Sequence, residues 1–291
     1  MKTAKKIIAA LMAVVVVAAC FAGCSKDGKA DDAATEAKVK VVDIELTNED
    51  YAFGVDKAQP ELLESINSFV AEIQENGKLD EICNKYFSDG TPTPVKSAAE
   101  DSTKDQLVVA TNAAFEPFEY TKGDDYYGID MEIAALLAEK LGKELVIKNM
   151  DFDAVCLSVG QHKADIAMAG LTVNEEREEY VTFSTPYYKA AQKVIVPASN
   201  TEFDACQTAE DVVAILNAKD SATKIGAQNG TTGALYIQGD ESFGFAGLPS
   251  QFIGYKNGSL AVQDLINGNL DYVIIDAAPA QFITEAINAV A

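Results

Sequence analysis

Residues 107–120, LVVATNAAFEPFEY, form the stretch from which the fold can be worked out. The segment begins with the apolar run Leu107–Ala110, which is typical of a short strand covered on both faces. A turn of small residues follows and leaves the side-chain amide of Asn112 free, and Phe115 opens an aromatic group. In open α/β sheets, ligands bind just beyond the carboxyl ends of strands. The stretch therefore predicts the first strand of an α/β domain with a binding site at its end, although 106 residues precede it.

Composition and charge set the broad class of the protein. Of its 291 residues, 48% are hydrophobic and 23% are charged, which suits a globular protein of one large or two modest domains. The formal net charge of −22 argues against nucleic-acid binding, because phosphate contacts need a basic surface. Cys83, Cys156 and Cys206 have the spacing of neither a disulfide framework nor a metal site.

The first 38 residues have the pattern of a targeting segment. Three lysines precede the apolar run Ile7–Ala19, which is too short to span a bilayer comfortably, and small residues then lead into Cys24. This pattern resembles a bacterial lipoprotein signal. Residues 1–23 would be the signal peptide, Cys24 the lipidated residue, and 24–38 a flexible tether. The alternative is ordinary secretion with an incidental cysteine.

Beyond residue 38, predicted strands alternate with predicted helices, which implies largely parallel sheets. Ser88–Gln106 is polar, contains two prolines and has no apolar period, so we predict a linker there. The predicted strands are Val39–Leu46, Tyr51–Val55, Leu145–Ile147, Asp165–Met168, Val181–Ser184, Gln192–Val196, Lys224–Ala227 and Tyr272–Ile275. The predicted helices begin at Pro60 and then cover Leu79–Phe87, Met131–Leu141, Ala209–Leu216, Ser259–Gly268 and Pro279–Ala289.

Arg177 is the first candidate for a binding role. It lies in TVNEER, at the opening of an acidic helix that follows a strand. One interpretation is a solvated salt-bridge surface with the neighbouring glutamates, which would contribute little to stability. The other is that its planar guanidinium binds a carboxylate in a bidentate manner, together with the N–H groups around Gly170 and Thr172.

Asp276 and the turn Gly230–Gly233 follow predicted strands. Asp276 is either a helix N-cap or a carboxylate placed to accept an ammonium group. The turn lacks the Gly-Lys-Ser/Thr ending of a phosphate loop, but its N–H groups suit a carboxylate.

Phe115 and Phe152 are also compatible with a plain hydrophobic core. His162 lies in a segment that looks exposed, and no cluster has metal-ligand spacing, so we expect no cofactor and no metal.

Five segments together carry a resemblance to a family. In order, they are LVVATNAAFEPFEY, YYGIDMEIAALLAEKLG, ADIAMAGLTVNEEREEYVTFSTPYY, GAQNGTTGALY and NGNLDYVIIDAAPA. From Leu107 onward, the chain resembles the extracytoplasmic amino-acid-binding proteins of ABC importers, the family 3 solute-binding proteins that include glutamine-binding and polar-amino-acid-binding members. The resemblance implies an α/β, two-lobe periplasmic-binding-protein-like fold of type II. Each lobe would hold a mixed, mostly parallel sheet with flanking helices.

The order of segments differs from that of the family. The family's C-terminal segment is missing after Ala291, and Val39–Phe87 resembles it, so we predict a circular permutant. Lobe 1 would then be 52–196 with the internal linker 88–106, and lobe 2 would be 39–51 plus 197–291. The hinge strands would be 51–55 and 192–196. The alternative is that Val39–Phe87 is the remnant of an upstream paralogue, which either completes this fold or swaps into a dimer.

The resemblance also implies a site and its partners. Arg177, with Gly170 and Thr172 and with Thr232, would hold the ligand's carboxylate, and Asp276 would face its ammonium group. Phe115 and Phe152 would enclose the ligand's side chain, and Asn112 would meet its end. Because several members have an acid at the Asn112 position, the amide favours a polar, neutral amino acid. We expect a lipid-anchored monomer on the outer face of a bacterial membrane that delivers the ligand to the transmembrane subunits of an ABC importer.

Two other classes of function stay open at this point. A few relatives of this fold are dehydratases of cyclic acids, and such an enzyme could recruit Glu116 as its acid or base. The third possibility is a sensor module for a separate signalling partner.

Overall fold

Two five-stranded mixed sheets with flanking helices make up most of the computed structural model, which describes residues 37–290. The predicted signal peptide, Cys24 and most of the predicted tether lie outside the described residues. The strands are β1 (Val39–Val42), β2 (Glu49–Tyr51), β3 (Gly54–Asp56), β4 (Gln106–Thr111), β5 (Ala114–Phe115), β6 (Glu119–Lys122), β7 (Asp125–Tyr127), β8 (Glu144–Asn149), β9 (Ile166–Ala167), β10 (Val181–Phe183), β11 (Tyr188–Ala190), β12 (Gln192–Pro197), β13 (Lys224–Gln228), β14 (Gln251–Tyr255) and β15 (Tyr272–Asp276). The helices are α1 (Pro60–Glu75), α2 (Lys78–Phe87), α3 (Ile129–Leu141), α4 (Val155–Gly160), α5 (Glu175–Glu178), α6 (Ala209–Asn217), α7 (Thr232–Gln238), α8 (Gly258–Ile266) and α9 (Ala277–Asn288), and Phe152–Ala154 forms a 3₁₀ turn.

The first sheet, called sheet I here, has the strand order β1-β12-β15-β13-β14. β12 is antiparallel to both of its neighbours, whereas β13 runs parallel to β14 and β15. Its inner strands are short apolar runs, and residues such as Val194, Ile225 and Ile274 are completely buried because helices cover both faces.

The second sheet, sheet II, has the order β10-β3-β9-β4-β8. β4, the strand predicted from Leu107, lies parallel to β8 on one side and to β9 on the other. β3 enters this sheet antiparallel to β9 and β10, so a segment from before the linker completes it. The two-lobed, mixed α/β architecture that the sequence predicted is therefore present.

A two-stranded ribbon lies where the chain passes between the two sheets. β2 pairs antiparallel with β11, and Tyr51 lies opposite Tyr188. The predicted hinge strand 192–196 falls instead within β12, which pairs with β1 and β15 inside sheet I. The predicted strand Tyr51–Val55 is divided between β2 and β3. The location of the hinge stays a prediction.

The predicted linker is fastened to the body of the protein. Residues 88–105 contain no helix or strand, in agreement with the prediction, but Val95 is buried and exchanges two main-chain hydrogen bonds with Tyr126. The buried carboxylate of Glu132 on α3 accepts hydrogen bonds from the Thr93 N–H (2.9 Å) and the Tyr86 hydroxyl (2.8 Å). The linker therefore packs along its lobe.

Several predicted elements have different bounds, and some were missed. The strand expected over Val39–Leu46 ends at Val42, and the residues from Asp43 to Asn48 have no regular structure. The hairpin strands β5–β7 and the half-exposed strand β14 were not predicted. β5 has only two residues and β14 has no clear apolar alternation, so neither gives a periodic signal.

Candidate ligand-binding site

One small cavity between the two lobes brings the predicted binding residues together. Its lining contains all eight of them: Asn112, Phe115, Phe152, Gly170, Thr172, Arg177, Thr232 and Asp276. Gln228 and Thr231 line it as well and were not predicted.

Strand ends and helix starts build both walls of this cavity. On the sheet II side, Asn112 follows β4, Gly170 and Thr172 follow β9, and Arg177 lies on α5. On the sheet I side, Gln228 ends β13 and Asp276 ends β15. Polar groups gather here because strands end and leave side chains and N–H groups directed into the cleft. The same rule identifies Gln228, since it is the last residue of a buried strand before the Asn229-Gly230 turn.

Arg177 is buried, so the solvated interpretation of this residue does not hold. Its Nη1 donates to the Thr172 carbonyl (2.6 Å), and its Nη2 donates across the cleft to the Gly230 carbonyl (3.1 Å). The guanidinium lies over the Phe152 ring, 5.2 Å from the centroid. The polar partners of this buried cation are neutral carbonyls, which an incoming carboxylate would outcompete through charge.

The main-chain N–H groups predicted to assist Arg177 differ in availability. The Gly170 N–H donates to Asp130 Oδ2 (3.0 Å), so it faces away from a ligand. The Thr172 N–H has no acceptor within residues 37–290, and it is the better placed of the two. Gly170 itself is required by its conformation, because its φ is +52° and a Cβ there would lie 2.9 Å from Phe115 Cε1.

A pair of side-chain amides forms one end of the cavity lining. Gln228 Nε2 donates to Asn112 Oδ1 (2.9 Å), and Asn112 Nδ2 donates to the Met150 carbonyl (2.6 Å). Both amides are buried. This end of the cavity therefore offers neutral hydrogen-bonding groups, contributed by both lobes.

Asp276 is the one carboxylate in the cavity lining. It occupies the N-cap position of α9, but its side chain does not cap the helix. Instead, Oδ1 accepts a hydrogen bond from the buried hydroxyl of Tyr51 (2.5 Å). Burial raises the pKa of Asp276 to about 7, and the nearby charge of Glu49 adds to this shift. A ligand ammonium group would favour the ionised form.

Two further acids lie buried beneath the site. Asp130 accepts hydrogen bonds from the Gly170 N–H and from the Tyr187 hydroxyl (2.5 Å), and burial raises its pKa to about 7. Glu119 is completely buried and neither of its carboxylate oxygens has a partner within the described range, so burial raises its pKa well above the usual value. Burial therefore favours the protonated forms of these acids, and a positive charge bound nearby would favour their ionised forms.

The other candidate residues lie outside this cavity. Glu116 lines a larger outer groove of about 390 Å³, and His162 is mostly exposed with Nδ1 2.7 Å from Asp56 Oδ2. Another pocket, of about 460 Å³, lies at the surface beside the linker and contains none of the predicted binding residues. Within residues 37–290, no group of three or more His, Cys, Asp or Glu side chains could hold a metal ion. Over the same residues, no helix has the length and apolarity that crossing a bilayer requires.

The family model of the bacterial extracellular solute-binding proteins, family 3, matches residues 107–276. This is more than half of the chain, and it contains all eight predicted binding residues. The chain belongs to this family. The match begins directly after the linker, so β1–β3, α1 and α2 lie before the matched residues.

Individual relatives agree with the family assignment. The arginine-binding extracellular protein ArtP of Bacillus subtilis is 34% identical over 99 residues, which are 34% of this chain and 39% of that protein. The cyclohexadienyl dehydratase of Pseudomonas aeruginosa is 28% identical over 191 residues, or 63% and 66% of the two chains. A solved ancestral arginine-binding protein bound to glutamine is 30% identical with a TM-score of 0.51, covering 63% of this chain and 74% of that one. The matched part spans 37% to 65% of the length of the first five curated relatives.

Proposed function

We propose that this protein binds a free amino acid between its lobes and delivers it to an ABC importer. The observation that carries the proposal is the buried pair of opposite charges in one cavity, Arg177 and Asp276, on opposite walls. An α-amino acid carries a carboxylate and an ammonium group on the same carbon atom, and these two side chains are complementary to them. Thr172 would assist Arg177 through its free N–H, and Thr232 would assist from the other lobe.

The rest of the lining is proposed to hold the ligand's side chain. Phe115 and Phe152 provide apolar walls, and the Asn112–Gln228 amide pair provides neutral donors and acceptors at the end. This arrangement suits a polar, neutral side chain such as a carboxamide. A cationic amino acid is the alternative, supported by the arginine-binding relatives and by the buried acids beneath the site.

Binding is proposed to proceed by closure of the lobes. The Arg177–Gly230 and Asn112–Gln228 hydrogen bonds both cross the cleft, so the lobes must separate before an amino acid can enter. Reclosure around the ligand would produce the form that the importer senses. The ribbon of β2 and β11 would act as the hinge.

Circular permutation is proposed as the origin of the segment order. Asn288, near the end of α9, accepts hydrogen bonds from the N–H groups of Lys38 (2.9 Å) and Val39 (3.3 Å), and donates to the Val39 carbonyl (2.9 Å). Residues 250 positions apart are thus adjacent, as expected where a connecting loop has been opened. We also propose a monomer, in which β1 and β3 complete the two sheets of their own chain; elution as an obligate dimer in size-exclusion chromatography would contradict it. The division into lobes 52–196 and 39–51 plus 197–291 belongs to the same proposal.

Lipid anchoring through Cys24 on the outer face of a bacterial membrane completes the proposal. Metabolic labelling with an alkyne fatty acid tests it, because the wild-type chain should be labelled and Cys24→Ser should not. Labelling of both, or of neither, would contradict the anchor.

The ligand class is tested by a thermal-shift screen of the twenty L-amino acids. A ligand present at about 100 times its Kd stabilises the folded state by about 2.7 kcal/mol, which raises the melting temperature measurably. We expect one or a few polar amino acids to do so. No shift with any of them would reject the proposal.

A dehydratase acting on a cyclic acid is the second candidate, and the similarity to cyclohexadienyl dehydratase favours it. Within the cavity, however, Asp276 is the one available carboxylate, and the candidate Glu116 lies outside the lining. Incubation with cyclohexadienyl acids separates the two functions. Product formation supports the enzyme, and reversible amino-acid binding without product supports the binding protein.

A further inference from the structure

Glu49 is a buried acid on the ribbon between the lobes. It lies on β2, is only 4% exposed, and does not line the ligand cavity. Its carboxylate accepts three hydrogen bonds, from Thr172 Oγ1 (2.7 Å), Thr47 Oγ1 (2.5 Å) and Gln192 Nε2 (3.1 Å). These three donors satisfy the hydrogen-bonding capacity of a carboxylate that is buried away from water.

These three partners belong to different parts of the site. Thr172 lines the cavity on the Arg177 side. Gln192 begins β12 and lies directly opposite Asp276 in the antiparallel pairing of sheet I. Glu49 therefore connects the half of the cavity assigned to the ligand's carboxylate with the half assigned to its ammonium group, and the connection runs through the ribbon.

We propose that Glu49 is a positioning residue for amino-acid binding: its carboxylate holds Thr172 and Gln192 in register across the ribbon and adds negative charge beside Asp276, where the ligand's ammonium group is bound. This inference rests on the proposed function. It adds a residue that acts without touching the ligand.

The negative charge of Glu49 also affects the protonation of Asp276, which its hydrogen bonds alone would not do. Glu49 and Asp276 repel each other when both are ionised, and this repulsion helps to raise the pKa of Asp276. A bound ammonium group relieves the repulsion and releases the proton from Asp276. The other titratable or charged groups facing this pair are Tyr51, Tyr188, Glu45, Glu119 and Arg177.

The test uses Glu49→Gln, which keeps the size of the side chain and removes its charge. Affinity for L-glutamine, or for L-arginine if it binds more tightly, is measured by calorimetry between pH 5.5 and pH 8.5. For the wild-type protein, affinity should fall below a midpoint near pH 7, where Asp276 takes up its proton. In Glu49→Gln, the midpoint should move down by about one pH unit, and affinity at pH 8.5 should fall about tenfold.

Two further variants separate charge from structure. Glu49→Asp keeps the charge on a shorter side chain, so its pH midpoint should stay near that of the wild type while its affinity falls. Asp50→Asn removes a charge from the same strand at a half-exposed position paired with Lys189 (2.6 Å), and it should change neither quantity.

The results distinguish this inference from the proposed function. If Glu49→Gln binds within twofold of the wild type at pH 8.5, or keeps its pH midpoint while only its melting temperature falls, the inference is overturned and the proposed function stands. If the wild-type protein binds none of the twenty amino acids, both are rejected.

Discussion

Replacing Arg177 with alanine is expected to weaken amino-acid binding by about 30-fold to several thousand-fold. The guanidinium is buried, and a ligand carboxylate bound to it would be removed from water on all sides. Removing one member of such a desolvated charge pair costs roughly 2–5 kcal/mol, which corresponds to the stated range of affinities. The cross-cleft hydrogen bond to the Gly230 carbonyl is lost as well, so closure itself should become less favourable.

Calorimetry with the amino acid that gives the largest thermal shift measures this effect. Arg177→Lys is a useful companion, because lysine keeps the charge but cannot reach the Thr172 and Gly230 carbonyls in the same planar fork. Lys256→Ala is the matched control. Lys256 also crosses the cleft, 3.9 Å from Asp151, but it is 75% exposed and should alter affinity less than twofold. An Arg177→Ala protein that folds and binds within threefold of the wild type would refute the assignment of the carboxylate site.

Three other changes probe specificity, protonation and shape. Asn112→Asp should shift preference from glutamine toward arginine by about 10- to 150-fold, because a hydrogen bond to a charged group contributes roughly 1.5–3 kcal/mol, as measured by calorimetry with both ligands; an unchanged ratio would show that Asn112 does not meet the side chain. For Asp276, burial raises the pKa from 3.8 to about 7, so the folded state holds a proton that the unfolded state has lost, and the stability of the ligand-free protein should fall as pH rises from about 4 to 7. Asp276→Asn should flatten part of that decline in denaturant melts, and an identical slope in the variant would contradict it. Gly170→Ala should lose about 1–3 kcal/mol of stability and most of its ligand binding, because the new Cβ would meet Phe115 and the backbone φ is positive. Gly123→Ala is the control: its φ is +64° and a Cβ there has no atom within 4 Å, so it should lose only the stability that the positive φ costs and should keep its ligand binding.

The sequence predicted the strands that have a strong apolar signal. β4 and β15 are short apolar runs that are buried on both faces, and their carboxyl ends were expected to carry Asn112 and Asp276. Pro60 and Gly77 mark the start and the end of α1 because proline suits the first turn and glycine adopts the positive φ of 75° that follows it. These features depend on neighbours in sequence.

The remaining features depend on residues that are distant in sequence. The Asn112–Gln228 pair joins positions 116 apart, and the Tyr51–Asp276 hydrogen bond joins positions 225 apart. No local pattern predicts that the Gly170 N–H donates to Asp130, nor that the predicted strand from Gln192 pairs with β15 so that Gln192 lies opposite Asp276. The acidic run around Arg177 is also typical of a solvated helix, so the sequence left two interpretations of this residue open, and its burial rules out the solvated one.

The central claim is that one cavity holds both charged groups of a free amino acid. Calorimetric titration of the tightest-binding amino acid, alongside its N-acetyl derivative and its methyl ester, tests that claim most directly. We predict binding of the free amino acid and a loss of at least about 30-fold for each blocked derivative, because each leaves Asp276 or Arg177 buried without its partner. Equal binding of either derivative would contradict the account.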